Sequence, residues 1–224
     1  MDKLHEALHR YWKSKSFRPL QKEVISNYLM GKDTVVLMPT GGGKSICYQL
    51  PALLSDGLTL VISPLVSLMQ DQVDQLNQRG IKSMFFESNR SKNDIDRQFE
   101  NARNGGFKLI YCSPERLVNK SFLEQLKNLN LVGIAIDEAH CVSEWGHDFR
   151  SSFMAIKNLR EVFPNVAFMA LTATANPQVL EDIKGGLGLD HPQVFRNSFE
   201  RSNIHYRVGN AEDKMGEIKK LLSG

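Results

Sequence analysis

Two rhythms of apolar residues alternate along the 224-residue chain. One is helical. In LHEALHRYW (4–12) and LQKEVISNYLM (20–30) apolar positions recur every three or four residues, and Gly31 closes the second stretch. The other is a short, continuous apolar run. TVVLM (34–38), LTLVI (58–62), KSMFF (82–86), FKLIYC (107–112), LVGIAI (131–136) and VAFMALT (166–172) predict strands. Helical patterns fall between or after them, over 44–54, 65–80, 91–103, 122–129, 154–163 and 177–187. Strands that are apolar throughout need a sheet covered on both faces. The pattern therefore predicts an α/β fold, a mostly parallel central sheet with helices on both sides.

The alternation breaks only near 196–210, an irregular polar stretch followed by a new helical pattern at 211–224. One α/β domain over 1–208 is expected, with 209–224 as a linker and the start of a second unit. No internal repeat or low-complexity segment interrupts the chain.

Composition narrows the class. The 42% apolar and 24% charged residues suit a soluble globular domain. The run LVGIAI is far shorter than the roughly 20 apolar residues of a membrane span. The N-terminal MDKLHEALHRYW is charged and amphipathic and does not read as a signal peptide, so no membrane partner is expected. A net charge of +3 permits a polyanionic partner without demanding one. Cys47, Cys112 and Cys141 have no C-x-x-C spacing; they read as small buried hydrophobes in a reducing compartment.

Chemistry enters at VVLMPTGGGKSICYQLP (35–51), where three glycines stand between a predicted strand and a predicted helix. Side-chain-free residues let backbone amides wrap a phosphate, and a helix start presents unpaired N–H groups to an anion. In this reading Thr40, Gly41, Gly42, Gly43, Lys44 and Ser45 form a nucleotide-phosphate loop. Lys44 reaches the β and γ phosphates, and the Ser45 hydroxyl ligates Mg²⁺. The strict pattern asks for glycine where this chain has Met38. A second strand, LVGIAI, runs into Asp137-Glu138-Ala139-His140. Asp137 at the strand end suits Mg²⁺ held through water, and Glu138 suits orienting or deprotonating an attacking water. Taken alone, His140 reads more readily as a structural histidine than as a functional one.

Taken together, FRPLQ (17–21), MPTGGGKS (38–45), SPLVSLMQDQV (63–73), PERL (114–117), DEAH (137–140), SEWGHDFR (143–150) and LTATA (171–175) resemble the first motor domain of RecQ-type DNA helicases of superfamily 2. They stand in that family's order and span roughly residues 1–207. The resemblance implies a RecA-like P-loop NTPase fold with ATP and Mg²⁺ as cofactors. It implies a 3′-to-5′ DNA helicase of DNA repair and recombination.

The resemblance also implies roles for single residues. Arg18 and Gln21 would read the adenine, which suits a cation beside an amide that both donates and accepts. The family usually has an aromatic four residues before that arginine; this chain has Ser14 there, with Tyr11 and Trp12 nearby. Lys44, Asp137, Glu138 and His140 would be the catalytic set. Ser63, Pro64 and Arg116 would contact the DNA strand, and Thr172 and Thr174 would couple the two ligands. SEWGHDFR resembles an aromatic-rich loop that senses single-stranded DNA, with Trp145, His147, Phe149 and Arg150 as its working residues. Base stacking on an aromatic tolerates any sequence, as a translocating motor requires.

Implied partners are single-stranded and partly duplex DNA, a single-stranded-DNA-binding protein and other repair proteins. A monomer is expected, in the cytoplasm at a bacterial nucleoid or in a eukaryotic nucleus. The family's second RecA-like domain, which supplies an arginine to the γ-phosphate, begins around residue 209. The chain alone is therefore expected to bind ATP and DNA weakly and to be inactive in unwinding. Other readings stay open: a DEAH- or DEAD-type RNA helicase motor, a small-molecule P-loop kinase, and a scaffold that retains the fold.

Overall fold

The computed structural model describes residues 2–86, 91–144, 147–197, 204 and 213–222. In chain order the elements are α1 Lys3–Trp12, α2 Gln21–Leu29, β1 Thr34–Leu37, α3 Ile46–Leu54, β2 Leu58–Ile62, α4 Val66–Gln78, β3 Ser83–Phe85, α5 Lys92–Asn104 and β4 Leu109–Cys112. A 3₁₀ turn, Pro114–Val118, precedes α6 Lys120–Lys127, β5 Leu131–Ile136, α7 Cys141–Glu144, α8 His147–Val162, β6 Phe168–Thr172, α9 Pro177–Gly186, β7 Gln193–Arg196 and α10 Lys214–Leu222.

The strands form one sheet in the order β3-β4-β2-β5-β6-β1-β7, with every pairing parallel. Alternate strand residues feed two cores. Leu60, Ile110, Ile134 and Phe168 pack with Phe99 of α5, Phe122 of α6, Ile156 of α8 and Ile183 of α9. Val36, Val61, Ala135 and Met169 pack on the other face with Val24 of α2, Tyr48 of α3 and Met69 of α4. Each large side chain fully buried this way contributes about 1.5–3 kcal/mol, which holds the strand ends in fixed register.

At the amino edge of the sheet, Asp33 is buried and fully partnered. It accepts two hydrogen bonds from Arg160 of α8 at 2.7 and 2.6 Å, and one each at 2.9 Å from the Phe168 and Asp190 N–H groups. One carboxylate thus ties the start of β1 to α8, to β6 and to the turn before β7.

Two sequence expectations are corrected. The segment 143–150 reads as a loop, yet α7 runs to Glu144 and α8 starts at His147. No Gly or Pro interrupts 147–163, and Phe149, Phe153, Ile156, Leu159 and Phe163 keep helical spacing, so the polar residues ride on a helix. No strand is expected after 166–172, and the irregular stretch is expected from about 196, yet Gln193–Arg196 form β7 beside β1, with Thr34 opposite Gln193 and Leu37 opposite Arg196. A four-residue edge strand with two apolar positions has too little pattern to announce itself.

Candidate active site

The carboxyl edge of the sheet collects most of the expected residues. Parallel register sets Leu37 of β1 beside Thr172 of β6, and Ile136 of β5 beside both Ala170 of β6 and Ile62 of β2. The glycine loop after β1 and the acid turn after β5 therefore flank the Thr172 turn. Ser63 leaves the same edge from β2, and Pro114–Val118 leaves it from β4.

The Met38 N–H donates to the Thr172 carbonyl at 3.2 Å, anchoring the loop at its root. Gly41 and Gly43 have φ of 77° and 81°, a left-handed backbone that other residues adopt only at a cost. Between them the Gly42 N–H donates to the Pro39 carbonyl at 2.9 Å, and a Cβ on Gly42 would lie 2.8 Å from that oxygen. The N–H groups of Gly41, Gly43, Lys44 and Ser45 have no partner among the described residues. Thr40 and Gly41 are exposed, and residues 42–46 are half-buried. An accessible nest of unpaired amides fits an anion such as a phosphate. The Lys44 ammonium donates back to the Met38 carbonyl at 3.3 Å, so it lies across the mouth of the loop.

Arg18 and Gln21 brace this loop from below. The Arg18 guanidinium donates to the Gly41 carbonyl, and Gln21 Nε2 donates to the Gly43 carbonyl at 3.1 Å. Gln21 is only 3% exposed, and its Oε1 accepts the Arg18 N–H at 2.8 Å. A side-chain amide has two donors and two acceptor lone pairs, so one of each remains for a ligand edge. Leu20, with φ of 66°, makes the turn that brings Gln21 to the loop.

Around these residues lies a cleft of about 310 Å³, walled on one side by Trp12, Ser14, Arg18 and Gln21 and reaching Gly43 and Ser45. It is also lined by Gln49 of α3 and by Gln72, Gln75 and Arg79 at the α4 side. No sequence expectation of a functional role falls on these four. For Gln72, Gln75 and Arg79 the signal is their spacing, one polar helical face beside the apolar Met69, Val73 and Leu76; Gln49 has none.

Asp137 is 7% exposed, and its N–H donates to the Ile62 carbonyl at 2.8 Å. Burial, and then the neighbouring Glu138 charge, push its carboxyl up to about 6; the Glu138 N–H, the Lys44 ammonium and His140 oppose the rise. A buried carboxylate that feels Lys44 has a standing demand for further positive charge. Glu138 adopts a φ of 50°, and its N–H closes on Asp137 Oδ1 at 3.0 Å. A non-glycine residue held there stores about 1–3 kcal/mol, and such strain clusters at functional sites. Among the described residues no group of three or more His, Cys, Asp or Glu could hold a metal. The donor set of Ser45 and Asp137 instead fits Mg²⁺, which takes one or two carboxylates and completes its shell from phosphates and water.

His140 joins the acid turn to β6. Its Nδ1 lies 3.2 Å from Glu138 Oε2 and 2.9 Å from Thr172 Oγ1. Thr172 donates its hydroxyl to the Thr174 carbonyl at 3.0 Å and accepts the Thr174 N–H at 3.1 Å. The expected set Lys44, Asp137, Glu138, His140, Thr172 and Thr174 is thus brought to one place.

On the DNA-side set, Ser63 is 2% exposed and its hydroxyl has no partner among the described residues. Pro64 and Arg116 are half-buried in turns after β2 and β4, while Leu65 and Val66 are exposed. Trp145 lies outside the described residues. His147, Phe149 and Arg150 fall on α8, and their side chains lie outside the described set.

The DEAD/DEAH box helicase family matches residues 18–183. The chain is 43% identical over 219 residues to the ATP-dependent DNA helicase RecQ of Pasteurella multocida, covering 98% of the chain and 35% of that relative. It is 43% identical over 222 residues to the probable ATP-dependent DNA helicase RecS of Bacillus subtilis, and 42% identical over 234 residues to the ATP-dependent DNA helicase Q1 of Rattus norvegicus. The chain spans 45% and 38% of those two, so under half the length of each of these curated relatives. Among solved structures, the DUF1998 helicase MrfA bound to DNA superposes with a TM-score of 0.70 at 23% identity, over 88% of the chain and 29% of that protein. The Pyrococcus furiosus Hef helicase domain gives 0.63 at 17% identity, over 82% of the chain and 38% of that protein. These likenesses establish the RecA-like helicase fold.

Proposed function

Because the chain belongs to the DEAD/DEAH box helicase family, in its RecQ branch, we propose that it is the ATP-binding motor domain of an ATP-dependent 3′-to-5′ DNA helicase. The observation that supports this most is the convergence on one sheet edge of the unpaired loop amides, Lys44 and the strained Asp137-Glu138 turn.

ATP binds with its triphosphate on the amides of Gly41, Gly43, Lys44 and Ser45 and with its adenine read by Arg18 and Gln21. Lys44 leaves the Met38 carbonyl for the β and γ phosphate oxygens, trading a neutral acceptor for a charged one. Ser45 and Asp137 would hold Mg²⁺, which supplies charge neutralisation at those oxygens. Glu138 orients the attacking water and takes its proton, and His140 holds Glu138 in place through Nδ1. Phosphoryl transfer of this kind rests on positioning and electrostatics rather than covalent chemistry.

DNA meets the same edge. Ser63, Pro64 and Arg116 contact the strand backbone, and Thr172 and Thr174 relay its presence to His140. Trp145, Phe149, His147 and Arg150 sense single-stranded DNA, with Trp145 stacking on a base. Residues 1–208 form the domain, and 209–224 begin a second RecA-like domain that brings an arginine to the γ-phosphate. On this reading the chain alone has little ATPase and no unwinding activity. The whole protein works in repair and recombination, as a monomer among single-stranded-DNA-binding and repair proteins, at a nucleoid or in a nucleus.

The test is ATP hydrolysis by a chain extended through the second domain, with single-stranded DNA, with RNA and with neither. Stimulation by DNA and not by RNA is expected. Stimulation by RNA alone would favour the RNA-helicase alternative, and no hydrolysis under any condition would overturn the motor reading.

A further inference from the structure

Two glutamines that line the same cleft as Arg18 and Gln21 join α3 to α4. Gln49 Nε2 donates to Gln72 Oε1 at 2.7 Å, and the same nitrogen lies 3.5 Å from the Tyr111 hydroxyl on β4. Gln49 is 4% exposed, so its amide is fixed by the core around it. A side-chain amide has an accepting end and a donating end. With its oxygen given to Gln49, Gln72 keeps its NH₂ group, which has no partner among the described residues. Gln72 lines the same cleft as Arg18, Gln21 and Gly43. At about 310 Å³ this cleft stands at the small end of ligand sites, suited to one flat heterocycle and its sugar.

We propose that Gln72, oriented by Gln49, donates a hydrogen bond to the nucleoside part of the bound nucleotide and so completes on α4 the pocket begun by Arg18 and Gln21. The proposal rests on the reading of the cleft as a nucleotide site. A purine ring nitrogen or a ribose oxygen supplies the acceptor. A half-buried donor left unmatched is costly, so Gln72 selects for ligands that present that acceptor. The placement also has a mechanical consequence. The helix bearing Gln72 begins at Val66, directly after the Ser63-Pro64-Leu65 turn. Strand contact at the start of this helix and nucleoside contact at its middle, two turns on, then bear on one rigid element.

Titration calorimetry of the full chain with ATP and with inorganic tripolyphosphate tests this. Gln72→Met removes the amide at similar size; Gln72→Glu keeps an oxygen for Gln49 and removes the NH₂. Both variants should bind ATP about 5- to 30-fold more weakly. In Gln72→Met the tripolyphosphate affinity should stay within about twofold, because the phosphate loop is untouched. A purely structural role would lower the melting temperature and leave the ratio of ATP to tripolyphosphate affinity unchanged, which overturns the proposal. So does an ATP affinity in Gln72→Met equal to that of the unaltered chain. Absence of ATP binding by the unaltered chain would overturn the nucleotide reading beneath it, a result distinct from either.

Discussion

His140 donates through Nδ1 to the Thr172 hydroxyl, 2.9 Å away. The direction follows from hydrogen counting. Thr172 has one hydroxyl hydrogen and gives it to the Thr174 carbonyl, so it can only accept from the histidine. The proton on Nδ1 is thereby shared between Thr172 and Glu138 Oε2, and the end of β6 helps to fix the acid turn. Thr172→Val keeps the shape and removes this acceptor. In the chain extended through the second domain, ATP hydrolysis should fall about tenfold with ATP affinity little changed, the mark of lost positioning. An unaltered rate would remove Thr172 from the mechanism.

Gly43→Ala tests the loop as a shape. Its φ of 81° disfavours any side chain, and an added Cβ would meet Gln21 Nε2. About 1–3 kcal/mol of strain should appear at the site rather than in the fold. ATP affinity should drop by at least tenfold, measured by calorimetry, with the circular dichroism spectrum preserved.

The Asp137 carboxyl, raised to about 6 chiefly by burial, makes a pH-dependent prediction for the metal-free, nucleotide-free protein. The folded state holds this proton more tightly than the unfolded chain does, so its ionisation costs stability as pH rises from about 4 to 6 and the cost persists above. Asp137→Asn removes the charge and should stabilise the protein by up to about 3 kcal/mol at pH 7.5. Urea unfolding at pH 5 and pH 7.5 should show the gain shrinking at the lower pH. A gain that grows toward acid would contradict the assignment.

Asp33→Ala leaves Arg160 half-buried without its bidentate partner and orphans two backbone N–H groups. A destabilisation of about 3–5 kcal/mol is expected in urea unfolding, with ATP affinity retained wherever the protein stays folded. A loss below 1 kcal/mol would show that the amino edge of the sheet is held by packing alone.

How far the sequence revealed this molecule varies with locality. LTLVI and LVGIAI coincide with β2 and β5 to the residue, because a strand buried on both faces must be apolar throughout. The glycine loop and DEAH turn were legible because both sit at the ends of such strands. β7 was not, since pairing with β1 rather than its own pattern makes it a strand. The polar 147–150 segment hid the start of α8 for a different reason: its polar composition masked a helical spacing that runs on through Phe163. Gln49 and Gln72 are far apart in the chain and meet only because α3 and α4 cover the same sheet face. Nor does any pattern announce that Gln21 grips Gly43, a contact made by the left-handed turn at Leu20.

Binding of ATP to the chain and to its Lys44→Ala variant, followed by calorimetry in the presence of magnesium, addresses the central claim most directly. The account predicts saturable binding by the unaltered chain and a loss of about 10- to 100-fold on removing the ammonium group. Equal affinity in the two proteins, or none in the first, would contradict it.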